Sequence, residues 1–140
     1  MTTRPLPAPG SKGRTSYLDV LARALRVVEA DVWATGLDGP VDLILDDWGG
    51  PAPSVHAVYR GGGSGSTVGI DSDQPLDPVE ALVAVADDLQ NSIMHIYWGT
   101  VWPVCPAHNL GAHARRHAQA AVWWCNHAGG HVIAAIGQWA

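Results

Sequence analysis

Large apolar residues recur at helical spacing in two stretches of the chain, and each stretch predicts a helix. In the first, the pattern begins after Thr15 or Ser16 and stops at Gly36. Residues three or four positions apart share one face of a helix, so this face is expected to be buried. Its apolar positions are Leu18, Leu21, Leu25, Val28 and Val32.

The second predicted helix has the clearer start signal. Asp77 stands at the N-cap position, Pro78 at the first helical position and Glu80 where a capping box places its acid. The apolar pattern runs to about residue 98, and Gly99 stops it. We expect this helix to bury a stripe made of Val79, Leu82, Val83, Leu89, Ile93 and Ile96.

Three short segments between the helices predict strands. The first segment is VDLILDDW (41–48), the second is SVHAVYR (54–60), and the third is TVGI (67–70), which follows a glycine-rich connection. Short strands bounded by Gly and Pro are most simply arranged as an antiparallel meander. The predicted fold class is therefore α+β, in the order α-β-β-β-α.

The remaining segments complete a division of the chain into three parts. Residues 1–14, rich in Pro and Gly, predict a disordered tail. Residues 15–98 form the α+β domain. Residues 99–140 form a Cys/His module packed on the same core. Within this module, AVWWC and HVIAAIGQW flank a Gly-Gly turn and predict a β-hairpin.

Composition narrows the classes of function and location. The 140 residues carry a formal net charge of −5, which argues against bulk electrostatic binding of nucleic acid. The chain contains no apolar run of the length needed for an export signal or a membrane span. We therefore expect a cytoplasmic or particle-associated protein, where two thiols are metal ligands rather than a disulfide.

Both cysteines lie in the last part of the chain, each close to a histidine. Cys105-Pro-Ala-His108 and Cys125-Asn-His127 present sulfur and imidazole in two turns, which is typical of a tetrahedral zinc site. Cys105, His108 and Cys125 are predicted ligands, and His127 is the preferred fourth. Four protein ligands would make the zinc structural, because no position stays open for water. The alternatives for the fourth ligand are His113 and His131.

The motifs WPVCPAH, AVWWC and VIAAIGQW resemble a small family of actinobacterial and actinophage proteins with a zinc-knuckle-like C-terminal module. The resemblance covers about the last fifty residues. The chain departs from the family pattern at Asn126, where the family usually has proline. The resemblance implies no reaction.

These features favour a non-enzymatic zinc-binding interaction or assembly protein, with a protein partner or self-assembly. A phage or phage-derived particle is one setting for it. The contact surface is expected to include Trp98, Trp102 and Trp139. One alternative is a metal-dependent hydrolase with three protein ligands and a water. Another is a nucleic-acid accessory protein that uses Arg115 and Arg116 beside Trp123 and Trp124, although His113 to His117 reads as a solvated cationic turn.

Overall fold

Two helices and two small antiparallel sheets make up the described part of the chain. The computed structural model describes residues 3–5, 15–46, 54–62 and 77–140. Both sheets have three strands, in the orders β1-β2-β3 and β4-β5-β6. The predicted α+β class is confirmed. The elements are β1 (Thr3–Pro5), α1 (Thr15–Ala34), β2 (Val41–Asp46), β3 (Ser54–Tyr59), α2 (Pro78–Ile96), β4 (His113–His117), β5 (Ala120–Cys125), a 3-10 turn (His127–Gly129) and β6 (His131–Ala135).

The first sheet agrees with the sequence prediction for its two longer strands. β2 and β3 pair antiparallel, with Val41 opposite Tyr59. The first sheet also contains β1, which pairs with β2 and lies within the segment 1–14 expected to be disordered. That expectation is therefore wrong for Thr3–Pro5. The predicted third strand, 67–70, lies outside the described residues.

Helix α2 begins where its capping residues predict. The Asp77 side chain accepts a hydrogen bond from the backbone N–H of Glu80 at 3.2 Å, and Pro78 occupies the first turn. The helix ends at Ile96, and the backbone N–H of Tyr97 still donates to the carbonyl of Ile93 at 2.9 Å. The local sequence therefore determines both ends of α2 to within two residues.

The buried face of α2 differs from the predicted stripe. Leu89 and Ile93 are fully buried as expected, whereas Val79, Leu82, Val83 and Ile96 are only partly buried. The face that α2 turns toward the core is rotated about the helix axis relative to the predicted stripe of large apolar residues. Beside Leu89 and Ile93, this buried face carries smaller or polar side chains: Ala81, Val85, Ala86, Asp88 and Ser92.

The two polar residues on this face explain the rotation, because they bind the edge of β3. A carboxylate oxygen of Asp88 accepts from the backbone N–H of Ala57 at 2.6 Å. The hydroxyl of Ser92 accepts from the backbone N–H of Tyr59 at 2.9 Å. Buried backbone donors need partners, and α2 supplies them on the side of β3 where no strand of the described residues pairs with it.

One carboxylate of α1 connects the C-terminal part of the chain to the helices. Asp31 is buried, and its oxygens accept from the indole N–H of Trp123 at 2.8 Å, the N–H of Gly137 at 2.6 Å and the N–H of Trp139 at 2.9 Å. A buried carboxylate with three donors is well satisfied. These bonds fix β5 and the C-terminal residues against α1.

A second connection joins α2 to the loop that precedes β4. The side-chain amide of Gln90 donates to the carbonyls of Trp102 at 2.8 Å and Ala112 at 2.6 Å. The indole N–H of Trp102 donates in turn to Thr35 at 2.9 Å. The apolar side chains of Trp102, Ala112, Ala121, Trp123 and Ile136 belong to the same buried cluster as those of α1 and α2.

Candidate metal centre

The first pair of candidate ligands lies in a tight turn between α2 and β4. The backbone N–H of Cys105 donates to the carbonyl of Leu110 at 2.7 Å, and that of Asn109 donates to the carbonyl of Cys105 at 2.8 Å. Asn109 adopts a φ of 57°, in the left-handed region that asparagine tolerates better than most residues. The turn brings the sulfur of Cys105 within 3.7 Å of Nδ1 of His108.

The second pair comes from opposite strands of the C-terminal hairpin. Cys125 ends β5 and His131 begins β6, and the two are direct partners in the antiparallel register. Paired residues project from the same face of a sheet. The connecting turn needs Gly130, because its φ is 99° and a side chain there would collide with the ring of Trp124. The hairpin therefore presents one sulfur and one imidazole side by side.

The two pairs converge on one point. Nδ1 of His108 lies 3.5 Å from the sulfur of Cys125 and 3.2 Å from Nε2 of His131. The sulfur of Cys105 lies 3.6 Å from Nε2 of His131. All four ligand atoms are within 4.8 Å of one another.

These separations fit a tetrahedral zinc ion. Zn–S bonds of about 2.3 Å and Zn–N bonds of about 2.0–2.1 Å place sulfur and nitrogen about 3.6 Å apart and two nitrogens about 3.3 Å apart. The sulfur–nitrogen distances are 3.5, 3.6 and 3.7 Å, and the nitrogen–nitrogen distance is 3.2 Å. Four of the six edges therefore match one coordination tetrahedron, and the other two pairs of ligand atoms lie within 4.8 Å.

The surroundings of Cys105 and His108 favour the protonation states in which these side chains bind metal ions. Burial raises the pKa of the Cys105 thiol, but N–H groups of Ala107 and His108 donate to the sulfur. Together with contacts to Cys125 and His131, they leave that pKa below its ordinary value. Burial and the neighbouring imidazoles lower the pKa of His108. Metal ligation requires thiolate and neutral imidazole, and both shifts are in that direction.

Further contacts orient the two imidazole rings. Nδ1 of His131 lies 3.1 Å from the carbonyl oxygen of Val132, which can only accept a hydrogen bond, so Nδ1 carries the N–H. The bond leaves Nε2 with a free lone pair directed at the cluster. The ring of His108 stacks on that of His127, with centroids 3.9 Å apart and an interplanar angle of 20°. His127 thus supports the ring of a candidate ligand.

The geometry corrects one of the four predicted ligand residues. Cys105, His108 and Cys125 come together as the sequence predicts, but the fourth member of the cluster is His131 rather than His127. His127 lies in the 3-10 turn at the hairpin tip, beyond the strand pair that aligns Cys125 with His131. The sequence signal that identifies His131 is its position across the hairpin turn. His113 is in β4 and is not part of the cluster.

The tryptophans predicted as contact residues separate into buried and exposed ones. Trp102 is buried, and Trp139 packs against the core. Trp98 is 89% exposed and lines an open cleft of about 640 Å³ beside Met94, His95 and Val101. Of the three, Trp98 is the one available for contact.

The residues of the nucleic-acid alternative do not form a common stacking surface. Trp123 is fully buried. Arg116 pairs with Asp77 at 2.8 Å, and the guanidinium of Arg115 lies over the ring of Trp124 at 4.3 Å. The predicted cationic turn is wrong, because His113–His117 forms strand β4.

The chain matches no protein-family model, no curated protein and no solved structure. Among the described residues, no helix combines the length and the apolar composition that crossing a membrane requires.

Proposed function

We propose that Cys105, His108, Cys125 and His131 bind one zinc ion, and that this ion has a structural role. The observation that carries the proposal is that four of their six mutual distances match the edges of a zinc tetrahedron and that all four ligand atoms lie within 4.8 Å of one another. Two thiolates with two imidazoles, arranged tetrahedrally, are a donor set that suits zinc among the common divalent ions.

The same geometry argues for a structural rather than a catalytic ion. A catalytic zinc site uses three protein ligands and leaves the fourth position for water or substrate. Here four protein atoms lie within 4.8 Å of one another, and both sulfurs belong to buried residues. The hydrolase alternative needs an open position that this arrangement does not offer.

We further propose that the zinc-stabilised protein acts by contact with another protein and not by catalysis. Trp98 supports this proposal, because an indole that is 89% exposed beside an apolar cleft is typical of binding surfaces. The zinc ion would hold the C-terminal sheet in shape, and the cleft beside Trp98 would bind the partner.

Metal analysis of matched histidine variants tests the zinc proposal. The protein purified without added chelator should contain one zinc ion per chain. His131→Ala should lose most of this zinc, since it removes a ligand atom. His127→Ala should keep it, because that ring only stacks on His108. Elemental analysis of the three proteins measures the difference.

The outcomes separate the two histidines. Zinc loss in His127→Ala with retention in His131→Ala would restore the sequence-based ligand and contradict the proposed set. A folded wild-type protein without any metal would contradict the site itself. Circular dichroism of each variant shows whether metal loss and unfolding occur together.

A further inference from the structure

The C-terminal end of α2 and the turn after it carry a row of side chains that face the open cleft. Asn91, Met94, His95 and Trp98 follow one another at helical spacing, and all four line the cleft. The turn after the helix brings Val101 to the same cleft. All five residues are exposed or half-buried, so no element of the described chain covers this face of α2 fully.

Trp98 forms part of the wall of this cleft and also protrudes from the surface. Its indole is 89% exposed, and Val101 is 51% exposed. The cleft has a volume of about 640 Å³, within the range of about 300–1,000 Å³ of pockets that take drug-sized molecules, and an indole is smaller than these. One molecule therefore offers an apolar projection and, beside it, a space that can receive the same projection from another molecule.

The cleft differs in charge from the chain as a whole. Among the described residues that line it, none is Asp, Glu, Lys or Arg. The chain carries a formal net charge of −5 with histidine neutral, so two copies repel each other at long range. At this cleft two copies can meet without opposing like charges and without burying an unpaired one.

We propose that this cleft is the interface of a two-fold symmetric dimer, in which Trp98 of each copy inserts into the cleft of the other. In such a dimer the same patch serves both copies, so each indole contacts Met94 and Val101 of the other copy. A thioether beside an aromatic ring is a favourable contact. This inference rests on the proposed contact function and names the partner as a second copy of the chain.

A second copy fits the cleft better than a small molecule does. Pockets for small molecules bury about 70–90% of the ligand surface. This cleft is open, and the indole at its wall is itself 89% exposed, so a small ligand would stay largely in water. A protein surface can cover the cleft and the indole together.

The amount of apolar surface implies a weak dimer. A tryptophan side chain buries about 150–250 Å², so the two copies of Trp98 would supply about 300–500 Å². Stable interfaces bury about 1,200–2,000 Å² in total, and transient ones less. We therefore expect an equilibrium between monomer and dimer rather than a permanent dimer.

Sedimentation equilibrium of the zinc-analysed protein, from micromolar to millimolar concentration, tests the proposal. We expect the wild type to dimerise reversibly. Trp98→Ala should raise the dimer dissociation constant at least about tenfold, because an aromatic residue at the centre of an interface carries much of its binding energy. Trp33→Ala is the matched control. Trp33 is 57% exposed on α1 and does not line the cleft, so its removal should leave the constant unchanged.

Asn91→Asp tests the same surface without removing apolar area. The change is nearly isosteric and places one carboxylate in each of the two clefts, so it should weaken the dimer, and added salt should restore part of the loss. Gln138→Glu adds the same charge at an exposed position outside the cleft and should have little effect.

Methionine methyl groups give a direct readout of the contact. The chain contains two methionines, Met1 and Met94, so ¹³C-methyl labelling gives two NMR signals, and Met94 lines the cleft. Its signal should shift as the protein concentration rises. In a mixture of labelled and unlabelled chains, it should show nuclear Overhauser effects to indole protons of the unlabelled copy. These effects should disappear when the unlabelled copy is Trp98→Ala.

A wild-type protein that stays monomeric at millimolar concentration would contradict the dimer. Equal weakening by Trp98→Ala and Trp33→Ala, or a Met94 methyl without intermolecular contacts, would also contradict it, because the copies would then meet elsewhere. A monomeric, zinc-loaded protein that binds a different protein through Trp98 contradicts the dimer but neither part of the proposed function. A metal-free protein that dimerises through Trp98 contradicts the zinc proposal alone.

Discussion

The two sheets have the same strand number but are stabilised by different means. In the first sheet, every residue from Val55 to Tyr59 of β3 is buried against the helices. In the second, neither β4 nor β6 contains a fully buried residue, and β5 supplies the buried side chains, with Ala114 and Ile133 packed against the core at its margin. The second sheet instead has the Cys/His cluster at one end and the bonds of Asp31 beneath it.

This difference shows how a short C-terminal segment can keep a fixed shape without a core of its own. Small elements that bury little apolar surface need additional links, such as metal ions. Here the candidate ligands join the loop before β4 to the β5–β6 hairpin. We therefore expect metal loss to affect the two sheets unequally.

The largest effect is predicted for Cys125→Ser. The variant should lose zinc, and with it a binding free energy on the order of ten kcal/mol that structural sites contribute to folding. NMR signals of residues 113–135 should lose their dispersion, whereas those of β3 and the helices that cover it should largely keep theirs. Treating the wild-type protein with a chelator should reproduce the same pattern.

A chelator should have no further effect on Cys125→Ser, because the ion is already absent. If the signals of β4 to β6 stay dispersed in the variant, the second sheet does not depend on the cluster. In that case, the two sheets do not differ in their dependence on the metal ion.

A smaller and more general effect is predicted for Leu89→Ala. Leu89 is fully buried on α2, and truncation should lower the free energy of unfolding by about 2–5 kcal/mol. Because α2 contacts both sheets, the loss should be shared by the whole chain, while the zinc content stays unchanged. Urea unfolding followed by circular dichroism measures it.

Val83→Ala is the matched control on the same helix. Val83 belongs to the stripe expected from sequence but is only partly buried, so its truncation should cost less than half as much. Equal losses at the two positions would show that the buried face of α2 is the one the sequence pattern indicates.

The helices and the longer strands follow from local signals in the sequence. Apolar spacing, the cap formed by Asp77 and Pro78, and alternation in residues 54–60 each specify an element with little help from the rest of the chain. The orientation of α2 does not follow from such signals. Asp88 and Ser92 turn inward because the edge of β3 needs hydrogen-bond acceptors, which is a tertiary requirement.

In the candidate metal site, too, local sequence indicates some of the residues and tertiary structure determines the rest. Two Cys/His turns can be recognised from spacing, and three of the ligands follow. The fourth depends on strand register, since pairing across the hairpin brings His131 beside Cys125 and leaves His127 at the tip. Local proximity in sequence favours His127, which lies outside the cluster, because it ignores the ladder between the strands. Strand β4 was likewise missed, since its charged residues conceal the alternation.

X-ray absorption spectroscopy at the zinc edge of the purified protein tests the central claim most directly. We expect first-shell scattering from two sulfurs at about 2.3 Å and two nitrogens at about 2.0–2.1 Å, with imidazole signals in the outer shell. That result would establish a closed site formed by two cysteines and two histidines. A shell with fewer than two sulfurs, or with an added light atom from water, would contradict a structural zinc site with these four ligands.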